Sequence, residues 1–315
     1  MALLKLSPSY KDYIWGGHRL VEEYNKQYEG DILAESWELS CHPDGPSWIT
    51  NGAYAGKSLK EYIEAEGNGV LGTNCSCFED FPILIKFIDA KDNLSIQVHP
   101  DNTYALEHEN QYGKTEMWYI MDCKEGAFLY YGFNQEISQE EFARRIEEDT
   151  LLEVLNKVTV QKGDILFIEA GTIHAIGKDI VIAEIQQNSN VTYRVYDYGR
   201  VGKDGKKREL HIDKAIAVTN RTPMLRSKSF QPHVAQSDYF TVDKLYLDGT
   251  TMQKMNGMVT PESFASIIFM EGTGIIRCGE EEMAFQKGDS FFLPAGSASY
   301  EVEGICQALI TTVGK

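Results

Sequence analysis

Three segments of the chain carry residue types that bind metals or move protons: LSIQVHP (94–100), GKTEMWYIM (113–121) and GDILFIEAGTIHA (163–175). In the first, strand alternation puts Ser95, Gln97 and His99 on one face and Leu94, Ile96 and Val98 on the other. A polar face on an otherwise apolar strand points to a lined cavity. In the second, Glu116 opens a strand and Lys114 precedes it on the same face. The third is written twice. GDSFFLPAGSASY at 288–300 repeats it at an offset of 288 − 163 = 125 residues, with Ser299 where the first copy has His174. His99, Glu116 and His174 make a two-histidine, one-carboxylate set. Such a set suits Zn²⁺ in a site that keeps one position open for water or substrate. Gln97 offers a fourth, oxygen-donating ligand.

Taken singly, these residues have plainer readings. His99 ahead of Pro100 reads as a cap or surface residue, and Glu116 as a solvated carboxylate. The repeat changes the balance, because it resembles the second motif of the cupin superfamily, Gly–five residues–Pro–x–Gly–two residues–His. The first copy keeps Gly163, Gly171 and His174, with Glu169 in the proline slot; the second keeps Gly288, Pro294 and Gly296. The resemblance implies a mainly β bicupin, two β-barrel or jelly-roll domains of which the second has lost its metal. Metal-dependent oxygenase cupins carry His-x-His in the first motif, whereas this chain has Gln97-x-His99. A set short of one imidazole favours Zn²⁺ and Lewis-acid or template chemistry over redox chemistry. His18, His42, His108, His211 and His233 lack such companions and read as structural or surface residues. Cys75 and Cys77 have no second pair at zinc spacing, so the six cysteines read as reduced, structural thiols.

A closer resemblance lies in QVHP (97–100), GKTE (113–116), GTIHAIG (171–177) and EIQQNSNVTYRVYDYGR (184–200), supported by IWGG (14–17) and ESWELSCHPDGPS (35–47). Together, over essentially the whole chain, they resemble the short bacterial branch of the type I mannose-6-phosphate isomerases. The resemblance implies an enzyme that interconverts mannose 6-phosphate and fructose 6-phosphate with one zinc per subunit. It places the metal ligands on His99, Glu116 and His174, with Gln97 matching a fourth ligand of longer members. It places the active-site arginine on Arg194, the lysine beside the metal glutamate on Lys114, and an acidic pocket residue on Glu184. One departure is Asn190, where the longer members have an acid.

Aldose–ketose isomerisation asks for these groups on its own account. A proton leaves the carbon beside a carbonyl, and the resulting enediolate needs a fixed cation in a water-poor pocket. Arg194, permanently charged and rigid, suits that task. Alternation puts Ile182, Glu184 and Gln186 on one strand face, and Thr192, Arg194 and Tyr196 on one face of a later strand. Glu184 is then a credible general base if burial raises its pKa. Lys114 has two readings, neutralising the substrate phosphate or shuttling a proton. Two other functions fit less well. A metal cupin oxygenase should carry a third histidine in place of Gln97, and a non-catalytic sugar-phosphate-binding regulatory cupin should show damage to the metal set or to Arg194.

The elements that must position these residues are mostly short strands: FPILIKFID (81–89), LSIQVHP, EMWYIMD (116–122), AFLYYGF (127–133) and DIVIAEIQQ (179–187). Turn residues bound them, as in barrels and sandwiches. Residues 138–157 read as one or two helices capped by Ser138, and 210–220 as another. The expected domains are a metal-binding cupin from residues 1–135 and 158–220, a helical insertion at 136–157, and a degenerate cupin at 221–315. A net charge of −17 argues against nucleic acid and anionic membrane as partners, but not against a small anion held by a few local cations. The expected partner is a small phosphosugar, and the sequence specifies no oligomeric state. The N-terminal apolar run is too short for a signal peptide, and no run of about 18 apolar residues follows, so a cytoplasmic protein is expected.

Overall fold

The segments read as strands form strands. In the computed structural model, which describes residues 3–202, 205–224 and 228–314, they sort into two antiparallel sheets. Residues 1, 2 and 315, the extreme ends of the two expected domains, lie outside the described residues. The first sheet runs Ile165–Ile168, Glu116–Cys123, Ile180–Gln187, Ile83–Ala90, Glu35–Leu39, Ser9–Lys11. The second runs Tyr193–Tyr196, Ile96–Val98, His174–Ala175, Phe128–Phe133, Leu155–Thr159. Trp15, Ile88, Trp118, Leu129, Tyr131 and Ile182 form one buried cluster drawing on both sheets, so the sheets face each other as a sandwich.

The chemistry-bearing strands are covered twice. Ile83–Ala90 and Ile180–Gln187 are buried along their whole length. Ile83, Ile85, Phe87, Val181, Ala183 and Ile185 pack against Phe240, Phe264, Ile268, Phe292 and Leu309 of the C-terminal half. The alternate residues, Lys86 and Glu184 among them, face the sandwich interior. A polar side chain there must find its partners inside the protein.

Ser138 Oγ accepts from Glu141 N and caps the helix Gln139–Glu147. Its Phe142 joins Leu151, Val154, Val98 and Ile173 on the outer face of the second sheet. The helical reading stops short of 157: from Leu155 the chain is a strand paired with Phe128–Phe133, because Leu155 continues that buried row. The helix Ile212–Val218 buries Ala215 on the same face.

The C-terminal half forms a nine-stranded sheet around its own core of Leu245, Ile267, Phe269, Phe285, Phe291 and Val302. Two early strands, Leu4–Ser7 and Trp48–Ile49, join this sheet, Leu4–Ser7 pairing with Ser290–Leu293. The sheet therefore does not follow a chain boundary at 220. The two copies of the repeat have matching backbones. Gly163 and Gly288 have φ of 95° and 93°, and Gly171 and Gly296 have 86° and 76°, a region that favours glycine. No helix among the described residues is long and apolar enough to cross a membrane.

Candidate metal centre and active-site pocket

Strand register brings the motifs together. Gln97 lies opposite His174 on one neighbour and opposite Arg194 on the other, so the three form a row across the second sheet. On the facing sheet Lys86, Glu184 and Trp118 form another row, and Glu116 lies opposite Gln186. Backbone hydrogen bonds join the loops: Lys114 N donates to Pro100 O at 3.0 Å, and Gly171 N to His99 O at 2.8 Å. Gly113 allows the first of these crossings, since a Cβ there would lie 2.3 Å from the Asp101 carbonyl carbon.

His99, Glu116 and His174 are buried, and their ligand atoms lie within 4.8 Å of one another. Glu116 Oε2 is 3.8 Å from His99 Nε2, and Glu116 Oε1 is 3.4 Å from His174 Nε2. Each imidazole presents Nδ1 to a backbone carbonyl at 2.8 Å, His99 to Val191 O and His174 to Thr172 O. These bonds fix the rings with Nε2 turned toward Glu116, the usual arrangement of metal-binding histidines. Burial, then the charge of Lys114, pushes the His99 pKa well below the ordinary value. Burial likewise takes His174 down to about 4, against the opposing bond to Thr172. Both rings are neutral at physiological pH, as ligation requires. Burial and the charge of Glu184 push the Glu116 carboxyl up to about 7 despite Lys114. His99 Nε2 and Glu116 Oε1 are buried without a hydrogen-bond partner. A divalent cation fits this donor set, supplying a partner to the two atoms that have none, His99 Nε2 and Glu116 Oε1. Gln97 brings its side-chain amide to 3.4 Å from His174 Nε2, and a half-turn of that amide presents its oxygen instead.

Around this set stand two buried lysines. Lys114 Nζ is 2.9 Å from Glu116 Oε2 and 3.4 Å from Glu184 Oε1. Lys86 Nζ is 3.3 Å from Glu184 Oε1 and 3.6 Å from Glu35 Oε2. Trp118 Nε1 donates to Glu184 Oε2 at 3.0 Å. Burial alone would raise the Glu184 pKa, as expected of a general base. Lys114, Lys86 and Trp118 reverse that and hold it at about 2. The expected upward shift of Glu184 is thus corrected: the carboxylate has two ammonium partners that the sequence did not announce.

A cavity of about 260 Å³ opens beside the set, lined by Gln97, Lys114, Lys86, Glu184, Arg194 and Arg208. Arg194 Nη1 donates to Glu209 O at 2.8 Å, and its Nε is buried without a partner. Burial and the neighbouring Arg208 lower the Arg194 pKa, the mark of an under-compensated cation. Thr192 lines the same cavity, but Tyr196 packs against the outer cluster, because the register shifts between Arg194 and Tyr196. Leu94 likewise turns inward, since regular pairing begins only at Ile96.

Lys86 lies within a strand that is otherwise apolar at its centre. Its signal was there, a single charge in the middle of FPILIKFID. Arg208 carried no signal. Among the described residues His99, Glu116 and His174 are the one metal-type group. Ser299, which stands at the position equivalent to His174, is exposed. All six cysteines are free. A larger cavity, about 670 Å³, lies elsewhere among Cys41, Lys60, Phe78 and Pro261 and contains none of the ligand set.

The fold and site define a mainly β protein with a buried ligand set of the metal-binding kind. Residues 3–126 match the model of the type I phosphomannose isomerase catalytic domain, and residues 231–313 that of the mannose-6-phosphate isomerase cupin domain. A mannose-6-phosphate isomerase of Streptococcus mutans is 40% identical over 299 residues, covering 92% of each chain. The crystal structure of the mannose 6-phosphate isomerase of Bacillus subtilis covers 99% of each chain with a TM-score of 0.88 and 34% identity. A zinc-bound mannose 6-phosphate isomerase structure shares the fold, with a TM-score of 0.79, 19% identity and 100% of each chain covered. The chain belongs to the type I mannose-6-phosphate isomerase family.

Proposed function

We propose that the protein interconverts mannose 6-phosphate and fructose 6-phosphate as a zinc-dependent aldose–ketose isomerase, through an enediol(ate) intermediate. One observation carries this reading in a member of this family: a buried His99–Glu116–His174 set adjoins a cavity lined by Lys86, Lys114, Arg194 and Arg208. A chain of net charge −17 concentrates cations there, which suits an anionic sugar phosphate.

Two imidazoles and one carboxylate, with Gln97 as a fourth donor, favour Zn²⁺ among divalent ions. When bound, Zn²⁺ polarises the sugar carbonyl and orients its hydroxyl. Arg194 places a fixed cation where the enediolate gains charge, and its unpartnered Nε is a donor in reserve for that oxygen. Lys114 is neighboured by two carboxylates, which offset its charge against a phosphate. We assign it to a sugar oxygen, where its ammonium can donate and take back a proton. Glu184, held at about 2, is a poor proton acceptor near neutrality, and its part is to hold Lys86 and Lys114 at the cavity wall.

The domain reading follows the same logic. We read residues 1–135 and 158–220 as the catalytic cupin, apart from the strands Leu4–Ser7 and Trp48–Ile49, 136–157 as an insertion whose helical part ends before the strand at Leu155, and 221–315 as a second cupin without metal that backs the catalytic sheet. Free thiols suit a cytoplasmic setting. Purified protein supplied with mannose 6-phosphate, with fructose 6-phosphate read by a coupled assay, tests the function. Turnover is expected, lost on chelation and regained with Zn²⁺. No turnover in zinc-loaded protein would overturn the proposal.

A further inference from the structure

The segment that carries Lys114 and Glu116 hangs on a side-chain network that reaches the C-terminal half. Thr115 lies between those two residues, and Gln187 holds it twice. Thr115 N donates to Gln187 Oε1 at 2.8 Å, and Gln187 N donates to Thr115 O at 3.1 Å. Gln187 Nε2 donates to Asn102 Oδ1 at 2.9 Å, and Gly113 N donates to the same oxygen at 2.9 Å. Asn102 Nδ2 in turn donates to Tyr239 Oη at 2.7 Å. Tyr239 sits in the turn between Ala235–Gln236 and Thr241–Asp248, two strands of the nine-stranded sheet, and its ring lies 5.9 Å from Phe78.

Donors and acceptors match along this path. Asn102 uses its oxygen for two N–H groups and its nitrogen for the tyrosine; Gln187 uses its oxygen for Thr115 and its nitrogen for Asn102. Gln187 is buried, so a lost bond there leaves a polar group unpaired. The Gly113–Glu116 segment has little freedom to compensate, because Gly113 already crosses against the Asp101 backbone.

We infer that Tyr239, Asn102 and Gln187 are positioning residues for the metal centre, and that the C-terminal half, through Tyr239, sets the affinity of the site in the catalytic sheet. None of the three touches the ligand set. They act through Thr115, whose placement fixes the direction of the Glu116 carboxylate. The inference rests on the metal reading above, and the test separates the two.

The readout is Zn²⁺ affinity of metal-stripped protein, measured by competition with a chromophoric chelator, alongside urea unfolding of each variant. Tyr239→Phe removes one oxygen and is expected to weaken Zn²⁺ binding about two- to tenfold, the loss of one hydrogen bond. Gln187→Ala removes both side-chain links and is expected to weaken it about tenfold or more, as loss of an outer supporting partner does. Tyr246→Phe, at an exposed tyrosine of the same sheet, should bind as the parent does. The double variant Tyr239→Phe/Gln187→Ala should bind more weakly than Gln187→Ala by no more than the Tyr239→Phe factor, since Asn102 still accepts from Gly113 N when Gln187 is gone. If the parent fails to bind Zn²⁺, the metal reading falls. If the parent binds and Tyr239→Phe binds equally tightly, the inference falls, whether or not Gln187→Ala folds.

Discussion

Glu184 and Lys86 face each other on adjacent strands, Oε1 to Nζ 3.3 Å apart, both buried in a sheet that is covered on its two sides. A buried pair of this kind is costly to break, because the survivor keeps its charge without its partner. Glu184→Gln leaves Lys86 with Glu35 at 3.6 Å and Lys114 with Glu116 at 2.9 Å. Because each lysine keeps one carboxylate, we expect a loss of about 1.5–3 kcal/mol in folding stability by urea titration, the range for a hydrogen bond to a charged group. A change below about 0.5 kcal/mol, as for a surface site, would show that the two lysines do not depend on it.

His174→Ala removes the ligand whose Nε2 lies 3.4 Å from Glu116. Metal affinity should fall roughly a hundredfold or more, since even supporting residues cost up to that much. Equilibrium dialysis with elemental analysis reads the result directly. Stoichiometric metal in this variant would place the ion elsewhere.

Arg194→Ala should separate binding of metal from turnover. Arg194 belongs to the cavity lining and not to the ligand set. Metal content should match the parent, while kcat falls about 10²- to 10³-fold, as for loss of one preorganised donor to a developing oxyanion. Arg194→Lys should recover only part, because a compact ammonium cannot reproduce the planar fork. Parental kcat in Arg194→Ala would assign the charge to another group.

The legible part of the site was the part fixed by spacing. Ser95, Gln97 and His99 share a strand face, and His174 follows a glycine turn, so their positions followed from alternation and one repeat. What alternation cannot give is which residues meet across a sheet. Lys86 and Glu184 are about a hundred positions apart in a chain whose strands pair out of order, and their register alone makes them neighbours. The same limit hid the low pKa of Glu184, because burial was readable from its strand and its two ammonium partners were not. Tyr196 escaped for a local reason, a register shift after Arg194 that no residue type announces. The attachment of Leu4–Ser7 to the C-terminal sheet is likewise a matter of long-range pairing.

Stability at acid pH should report on a second cluster. Asp197 accepts from Arg208 through Nε at 2.7 Å and Nη2 at 2.5 Å, and from Arg200 Nε at 3.1 Å. Burial alone would raise its pKa, and the two guanidinium groups outweigh it, so the folded value lies below the ordinary one. A depressed carboxyl contributes stability that is fully present above the unfolded pKa, about 3.9, and is lost as pH falls through the folded value. Asp197→Asn should therefore be less stable than the parent at pH 7, with the difference shrinking below about pH 4. Urea titrations across that range test it. A difference independent of pH would mean that the pairing energy is not linked to ionisation.

Asn190 is the position where longer relatives in the resemblance carry an acid, and the structure supplies a reason for the amide. Asn190 Nδ2 donates to Asp44 Oδ2 at 3.1 Å, joining the 42–45 turn to the rim of the cavity. An aspartate here would set two carboxylates at that separation, beside a site that must admit an anion. Both residues are exposed, so the repulsion is modest, about 0.5–1 kcal/mol by the scale of exposed charge pairs. Asn190→Asp should lower kcat/KM about two- to fivefold, mostly through KM, with the effect reduced at high salt. Adding Asp44→Asn should return most of the loss, because the pair regains a donor and an acceptor. If the double variant stays as impaired as Asn190→Asp, the amide acts on the substrate itself and not on the Asp44 loop.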